Sequence, residues 1–300
     1  MAAVSRTFAW VGLGRIVEHH LDALAAAQEI GVAVAGCDVD AAARGRFAER
    51  LETFASLEEM LDRVAPDVLV IATPTPTHAE VCRRVVALGA PKTVLVEKPL
   101  ATTMAEVDEI LDGTETAGID LRCLYHAAYG PEVEWALANL GRELQAVTSI
   151  ESELVDPYSA VEAAIYGDSW LDSGINALSI VSRFVNVESR FNLTEVRANT
   201  FLGLFDAGGA SGALRIKIAT SWRGVNPSKV TRVDLRDGGI VILNHQAMLA
   251  RYCGSDGSAQ TWTSPSALPR LTQHYVAAFR HELLRSAPAG RDRLLHALLL

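Results

Sequence analysis

The sequence predicts an α/β chain of two domains. The first is a parallel sheet with helices on both sides, up to about residue 126. The second is an α+β domain built on a mostly antiparallel sheet. Three observations lead there. The chain has 300 residues, about two domains' worth. Up to residue 126, short apolar runs alternate with helically spaced segments. Beyond it, strand-like stretches follow one another across Gly and Pro turns.

In chain order, Phe8–Val11 is a short apolar run, and Arg15–Glu29 is helical, with Ile16, Leu21, Leu24 and Ala25 on one stripe. Val32–Ala35 is the next strand. Asp40 is placed to cap a helix over Ala41–Glu49, and Leu51–Val64 reads as another helix. Val68–Ala72 is apolar throughout, as in a strand buried on both faces. Helix Glu80–Leu88, strand Thr93–Val96, helix Met104–Leu111 and strand Ile119–Leu124 complete the series. After His126 come helix Gly130–Leu140, strand Val147–Val155 and helix Ile175–Phe184. Strands Val196–Phe201, Ala213–Ser221, Val230–Leu235 and Ile240–Leu243 follow, then helices Leu271–Arg285 and Arg291–Leu300.

Composition narrows the class. The net charge of −9 argues against a nucleic-acid partner, because an acidic surface repels phosphate backbones. Apolar residues at 49% supply a large core. No apolar run approaches the ~20 residues that span a bilayer, so no membrane partner is expected. The first residues are too short an apolar run for a secretion signal. Cys37, Cys82, Cys123 and Cys253 are scattered without a CxxC pair. They read as buried thiols of a cytoplasmic protein, with no metal site.

Five motifs carry chemistry. Gly12-Leu13-Gly14-Arg15-Ile16-Val17 joins a strand to a helix. Gly12 permits a tight turn, and Gly14 lets the backbone approach a pyrophosphate at the helix N-terminus opened by Arg15 and Ile16. Val17 stands where the usual fingerprint has a third glycine. Asp38 ends the second strand, where an acid hydrogen-bonds ribose hydroxyls and repels a 2′-phosphate. Val39 and Asp40 after it add no cation, so NAD is expected over NADP. Thr73, Pro74, Thr75 and His78 form a loop on the same sheet edge, expected to touch the cofactor. Glu97-Lys98-Pro99 follows the fifth strand, with Glu97 and Lys98 both expected at the cofactor, and Lys98 is aimed at a cleft where burial and a cationic nicotinamide favour its neutral form. Asp172 and Asn176 share a helical face at i and i+4; taken by spacing alone, they read as an N-cap and its neighbour. The remaining histidines, His19, His20, His245, His274, His281 and His296, have no partner pattern and are read as structural.

These motifs together resemble the glucose–fructose oxidoreductase / inositol dehydrogenase (Gfo/Idh/MocA) family. The likeness rests on Gly12–His20, Ala72–His78, Val96–Ala101 and Leu171–Ile180. It implies a Rossmann dinucleotide-binding domain at 1–126. It also implies a substrate-binding and oligomerisation domain with a large open sheet at 127–300, associating into a homodimer or homotetramer. Lys98 inherits contact with the reacting oxygen, through a cis bond to Pro99. The variant around Asp172 and Asn176 is similar to the L-arabinose and D-galactose 1-dehydrogenase branch. By spacing alone Glu151 and Glu153 alternate onto one face of a strand and read as a solvated sheet face; by that likeness Glu151 and His126 line a sugar pocket, and Asp156, before Pro157, stands where the branch has a further histidine. The implied activity is hydride transfer from C1 of an aldopyranose to NAD, giving a lactone. The alternatives are a sugar or cofactor sensor without catalysis, and an oxidoreductase of a non-sugar carbonyl or dihydrodiol.

Overall fold

A computed structural model describes residues 6–89, 91–141, 147–158, 167–186, 192–197, 200–209, 212–223, 227–284 and 290–300. The chain forms two compact units. One runs to Leu124 and takes in Ala278–His296 and Leu300; the other is Tyr125–Ala277 with Ala297–Leu299. The expected second domain, 127–300, therefore gives up most of its C-terminal stretch to the first unit.

The first unit holds six parallel strands: β1 Arg6–Val11, β2 Gly31–Cys37, β3 Glu52–Phe54, β4 Val68–Ile71, β5 Thr93–Glu97 and β6 Asp120–Leu124. Their order is β3-β2-β1-β4-β5-β6, the doubly wound arrangement whose direction of winding changes between β1 and β4. All six carboxyl ends lie on one edge. Helices α1 Ile16–Ala26, α2 Ala41–Phe47, α3 Leu57–Val64, α4 His78–Leu88 and α5 Met104–Thr116 connect them. Asp40 caps α2 as expected, accepting from Ala42 N–H at 2.9 Å. The stretch Leu51–Val64, read as one helix, contains β3 before α3. Ser56 follows the strand and caps α3 by accepting from Glu59 N–H at 3.2 Å.

The second unit contains α6 Pro131–Leu140, β7 Val147–Val155, α7 Ile175–Phe184, β8 Asn192–Arg197, β9 Thr200–Gly209, β10 Gly212–Ser221, β11 Ser228–Leu235, β12 Ile240–Asn244, β13 Leu249–Cys253 and β14 Ala259–Thr263. Eight strands form one sheet in the order β14-β13-β12-β11-β7-β10-β9-β8, antiparallel except for β7 with β10. The run Val196–Phe201, read as one strand, is divided between β8 and β9, and β13 and β14 were not anticipated. Helices α6 and α7 pack on the sheet. The face they cover carries Ile150, Leu154, Ile216, Ile218, Val233 and Leu243, all buried.

Two helices close the chain, α8 Arg270–Leu284 and α9 Arg291–Leu299. Within the first unit, α9 covers the edge strand β6: Asp292 Oδ2 accepts from Cys123 N–H at 3.1 Å. Arg293 pairs with Asp108 at 2.5 Å and Asp112 at 2.6 Å on α5. Phe279 of α8 is fully buried, edge-on to Phe8 at 6.0 Å and to His20 at 5.5 Å. These contacts explain why the C-terminal stretch belongs with the first unit. Cys37, Cys82 and Cys123 are buried free thiols, the first two pushed up to about 12 by burial, whereas Cys253 is half-exposed.

A polar seam crosses the core of the second unit. Glu132 is fully buried, and its Oε1 accepts from His245 Nδ1–H at 2.7 Å. His245 Nε2 then accepts from the Thr231 hydroxyl at 2.9 Å, which in turn lies 2.9 Å from Ser152 Oγ. His274 Nε2 is 3.8 Å from Glu132 Oε1. Burial alone would raise the Glu132 carboxyl, but the His245 hydrogen bond and the two imidazoles outweigh it and hold the carboxyl below its usual range. Burial pushes the His274 imidazole down to about 4, against the pull of the Glu132 charge.

Two outcomes follow. Phe279→Ala should destabilise the protein by about 3–5 kcal/mol in denaturant unfolding, the usual range for emptying a packed aromatic site. His274 has a depressed folded-state value, so its contribution is whole above the ~6.5 of an unfolded histidine and is lost as pH falls toward 4. Stability measured from pH 7 to 4 should fall less steeply in His274→Gln; parallel curves would refute this.

Candidate active site

The turn after β1 requires glycine at one position and leaves room at another. Gly12 has φ +87°, and a Cβ there would meet the Ala72 carbonyl and Thr73 N at 2.8 Å. Its N–H donates to Cys37 O at 2.9 Å. Gly14 is exposed, and a Cβ there would meet nothing within 4 Å. The protein's own packing therefore does not call for a bare backbone at Gly14. The open space lies at the N-terminus of α1, which no side chain caps, and it suits an anionic group approaching the backbone. Arg15 is exposed and Ile16 half-buried beside it.

Asp38 reaches back to this turn. Its Oδ2 accepts from Leu13 N–H at 2.7 Å and its Oδ1 from Asp40 N–H at 2.8 Å. Val39 and Asp40 bring no cation, but α2 does. Arg44 donates to Asp38 O at 2.7 Å and Val39 O at 3.1 Å, and Arg46 donates to Leu13 O at 3.1 Å.

The loops after β4 and β5 emerge on the same edge. Thr73 and Thr75 are half-exposed and Pro74 exposed. Thr77 closes their turn, its hydroxyl 2.7 Å from Pro74 O and 2.8 Å from Thr73 Oγ1. Two residues expected at the cofactor have side chains taken up by the chain's own packing. His78 is fully buried, its ring enclosed by Thr73 O at 2.9 Å and by Pro99 O and Leu100 O at 3.1 Å, so its side chain serves the two loops. Burial pushes its imidazole below the usual value. Glu97 is also buried, with Oε1 at 3.0 Å from His20 Nε2. Lys98 is half-exposed between these buried neighbours, and the Lys98–Pro99 bond is cis.

In the second unit, Asp172 lies in a π-helical turn, Trp170–Gly174, that leads into α7. Asn176 Nδ2 donates back to Asp172 O at 3.3 Å, while its buried Oδ1 has no donor among the described residues. His126 is nearly buried, its ring 5.8 Å from His274 and 5.0 Å from Tyr275. Asp156 forms an ion pair with Lys229 Nζ at 3.0 Å, and burial pushes the Lys229 ammonium down against the pull of Asp156.

Glu151 does not share this side. Ile150, Ser152 and Leu154 form one buried face of β7, which buried Asp156 continues just past the strand, so Glu151 and Glu153 point away from it. Glu151 is exposed, 3.6 Å from Lys217, and cannot line a pocket with Asp156. The alternation of Ile150 and Leu154 was the available sequence signal. The same signal marks Lys229, a cation in register with Thr231, Val233 and Leu235 on the buried face of β11. Half-buried Arg270 and the Trp222 indole N–H, buried without an acceptor among the described residues, were also missed. No group of three His, Cys, Asp or Glu among the described residues is arranged to hold a metal ion, and no described helix is long and apolar enough to cross a membrane.

Comparison with known proteins agrees with the glycine turn. A family model described as an oxidoreductase family with an NAD-binding Rossmann fold matches residues 6–123. The rhizopine catabolism protein MocA of Rhizobium meliloti is 25% identical over 170 residues, 55% of this chain and 53% of that protein. Galactose 1-dehydrogenase of Pseudomonas fluorescens is 29% identical over 196 residues, 62% of this chain and 60% of that protein. The chain thus spans a little over half the length of these relatives. An Agrobacterium radiobacter oxidoreductase, crystallised with NAD+, L-tartaric acid and magnesium, superposes with a TM-score of 0.82 at 16% identity, over 99% of this chain and 94% of that one. The six-stranded parallel sheet and the glycine turn thus fall within residues 6–123, the part of the chain that is similar to the oxidoreductase family's NAD-binding Rossmann fold, and the large second sheet completes the fold shared with the superposed oxidoreductase.

Proposed function

We propose that the chain is an NAD-dependent sugar dehydrogenase that oxidises C1 of an aldopyranose of the D-galactose or L-arabinose type to an aldonolactone. One observation carries it. Lys98 stands half-exposed at the carboxyl end of β5, on the edge that also bears Gly12, Gly14, Asp38 and Thr73. Gly12 to Ile16 would hold the pyrophosphate, and Asp38 the ribose hydroxyls, by lone pairs beyond those given to Leu13 and Asp40. Thr73, Pro74 and Thr75 would lie along the cofactor. When bound, NAD+ supplies the acceptor for the hydride leaving C1.

The chain's own residues supply binding and proton transfer. Lys98, as the neutral amine, takes the O1 proton, so a C1 alcohol becomes a carbonyl with electrons and proton accounted for. Asp172 orients the sugar. Asn176 Oδ1, buried without a donor among the described residues, accepts from a sugar hydroxyl next to the reacting carbon. His126 and the Asp156–Lys229 pair bind the remaining hydroxyls. The galactose 1-dehydrogenase relative supports this substrate class. Association into a dimer or tetramer would use the exposed face of the second sheet, where Glu151, Glu153, Lys217 and Arg232 lie.

The purified protein should form NADH with at least one of D-galactose, L-arabinose, D-xylose, D-glucose, L-fucose and myo-inositol; turnover of none would point to a sensor or a non-sugar enzyme. Lys98→Met should lower kcat at least about a hundredfold, the low end for losing a general base. The rate should rise on an alkaline limb above the ~6.5 of a free histidine. That limb should persist in His126→Asn and move or vanish in Lys98→Arg; the reverse would make His126 the base. Asp38→Ser removes one like-charge contact with a 2′-phosphate, about one to a few kcal/mol, and leaves Arg44 and Arg46 beside it. NADP efficiency should rise and NAD efficiency fall; equal use of both cofactors by the unmutated protein would contradict this.

A further inference from the structure

The four residues Glu97 to Leu100 are held by three buried histidines from three helices. Before Lys98, His20 of α1 meets Glu97 at 3.0 Å, and the Trp10 indole N–H donates to its other nitrogen at 3.2 Å. After Lys98, His78 of α4 encloses the carbonyls of Pro99 and Leu100, both at 3.1 Å. The third is His296 of α9, fully buried, whose Nε2 accepts from Leu100 N–H at 2.8 Å. Its Nδ1–H donates to Asp292 O at 2.7 Å.

The third contact depends on one protonation state. A neutral ring with its hydrogen on Nδ1 satisfies Asp292 O and leaves a lone pair for Leu100 N–H. A charged ring would set one donor against another and break the contact. Burial favours the neutral ring, with His78 acting in the same direction and Asp292 opposing. A single residue, Pro99, separates Lys98 from the residue that makes this bond, and proton transfer is sensitive to misplacements of about 1 Å, which can lower a rate ~100-fold.

We propose that His296 is a positioning residue. By fixing the Leu100 peptide it sets where Lys98 stands, so the last helix of the chain takes part in turnover. The proposal rests on the assignment of Lys98 as proton acceptor. Its test compares two polar substitutions. In His296→Gln the amide oxygen replaces Nε2 and can still accept from Leu100; in His296→Asn the shorter side chain cannot reach it. The expected result is kcat within about threefold of the parent for His296→Gln. For His296→Asn, kcat should fall at least about tenfold, with a displaced alkaline limb and NADH affinity, read by nicotinamide fluorescence, within about twofold. Equal kcat and equal pH profiles in the two variants would overturn the proposal, as would a loss in His296→Asn explained wholly by weaker NADH binding. Lys98→Met is measured alongside. If it leaves turnover unchanged, the Lys98 assignment has failed; if it abolishes turnover while His296→Asn does not differ from His296→Gln, only the positioning role has failed.

Discussion

A single close approach of two backbones organises the first unit. Gly12 lies against the Ala72–Thr73 peptide where a Cβ would come within 2.8 Å. Around it, Ala72 N–H donates to Val11 O at 2.8 Å and Gly12 N–H to Cys37 O at 2.9 Å. The ends of β2, β1 and β4 are thereby stitched together at the point where the winding of the sheet reverses. The glycine turn, Asp38 and the Thr73 loop leave the sheet at a fixed spacing because of it. Any side chain at Gly12 would have to move a peptide rather than a flexible side chain, besides adopting a positive φ.

From that contact the order spreads by hydrogen bonds to main-chain groups. His78 starts at the Thr73 loop and reaches the turn after β5, and His296 holds the same turn from the last helix. Buried backbone groups outside regular structure need such partners, because an unmatched one costs about 1–3 kcal/mol. Imidazole meets this need because one neutral ring both donates and accepts, as His296 does between Asp292 O and Leu100 N–H.

The second unit solves a different problem, which is how to carry charge on the covered face of a sheet. Its buried charged groups there have partners: Glu132 accepts a hydrogen bond from His245, and Asp156 pairs with Lys229. Removing one partner of such a pair leaves an uncompensated buried charge, which is far more costly than the exposed contact of Glu151 with Lys217 is helpful. The two faces of β7 therefore carry carboxylates of different meaning only one residue apart in phase.

The sequence by itself determined the parallel architecture, the glycine turn, Asp38 at the end of β2, the cap at Asp40 and the position of Lys98. All of these depend on local spacing: apolar runs, a tight turn and a strand end are written in neighbouring residues. It also held the phase of β7, since Ile150 and Leu154 mark the buried face, although family likeness pointed to Glu151 instead. Tertiary structure alone decided the roles of the histidines, because His20, His78, His245 and His296 act on groups far away in the chain. It decided that Arg44 and Arg46 stand beside Asp38, that Lys229 faces Asp156, and that the C-terminal helix belongs with the first unit. A hydrogen bond from Leu100 to His296 spans 196 positions of sequence, and no periodicity or local motif encodes a contact of that range.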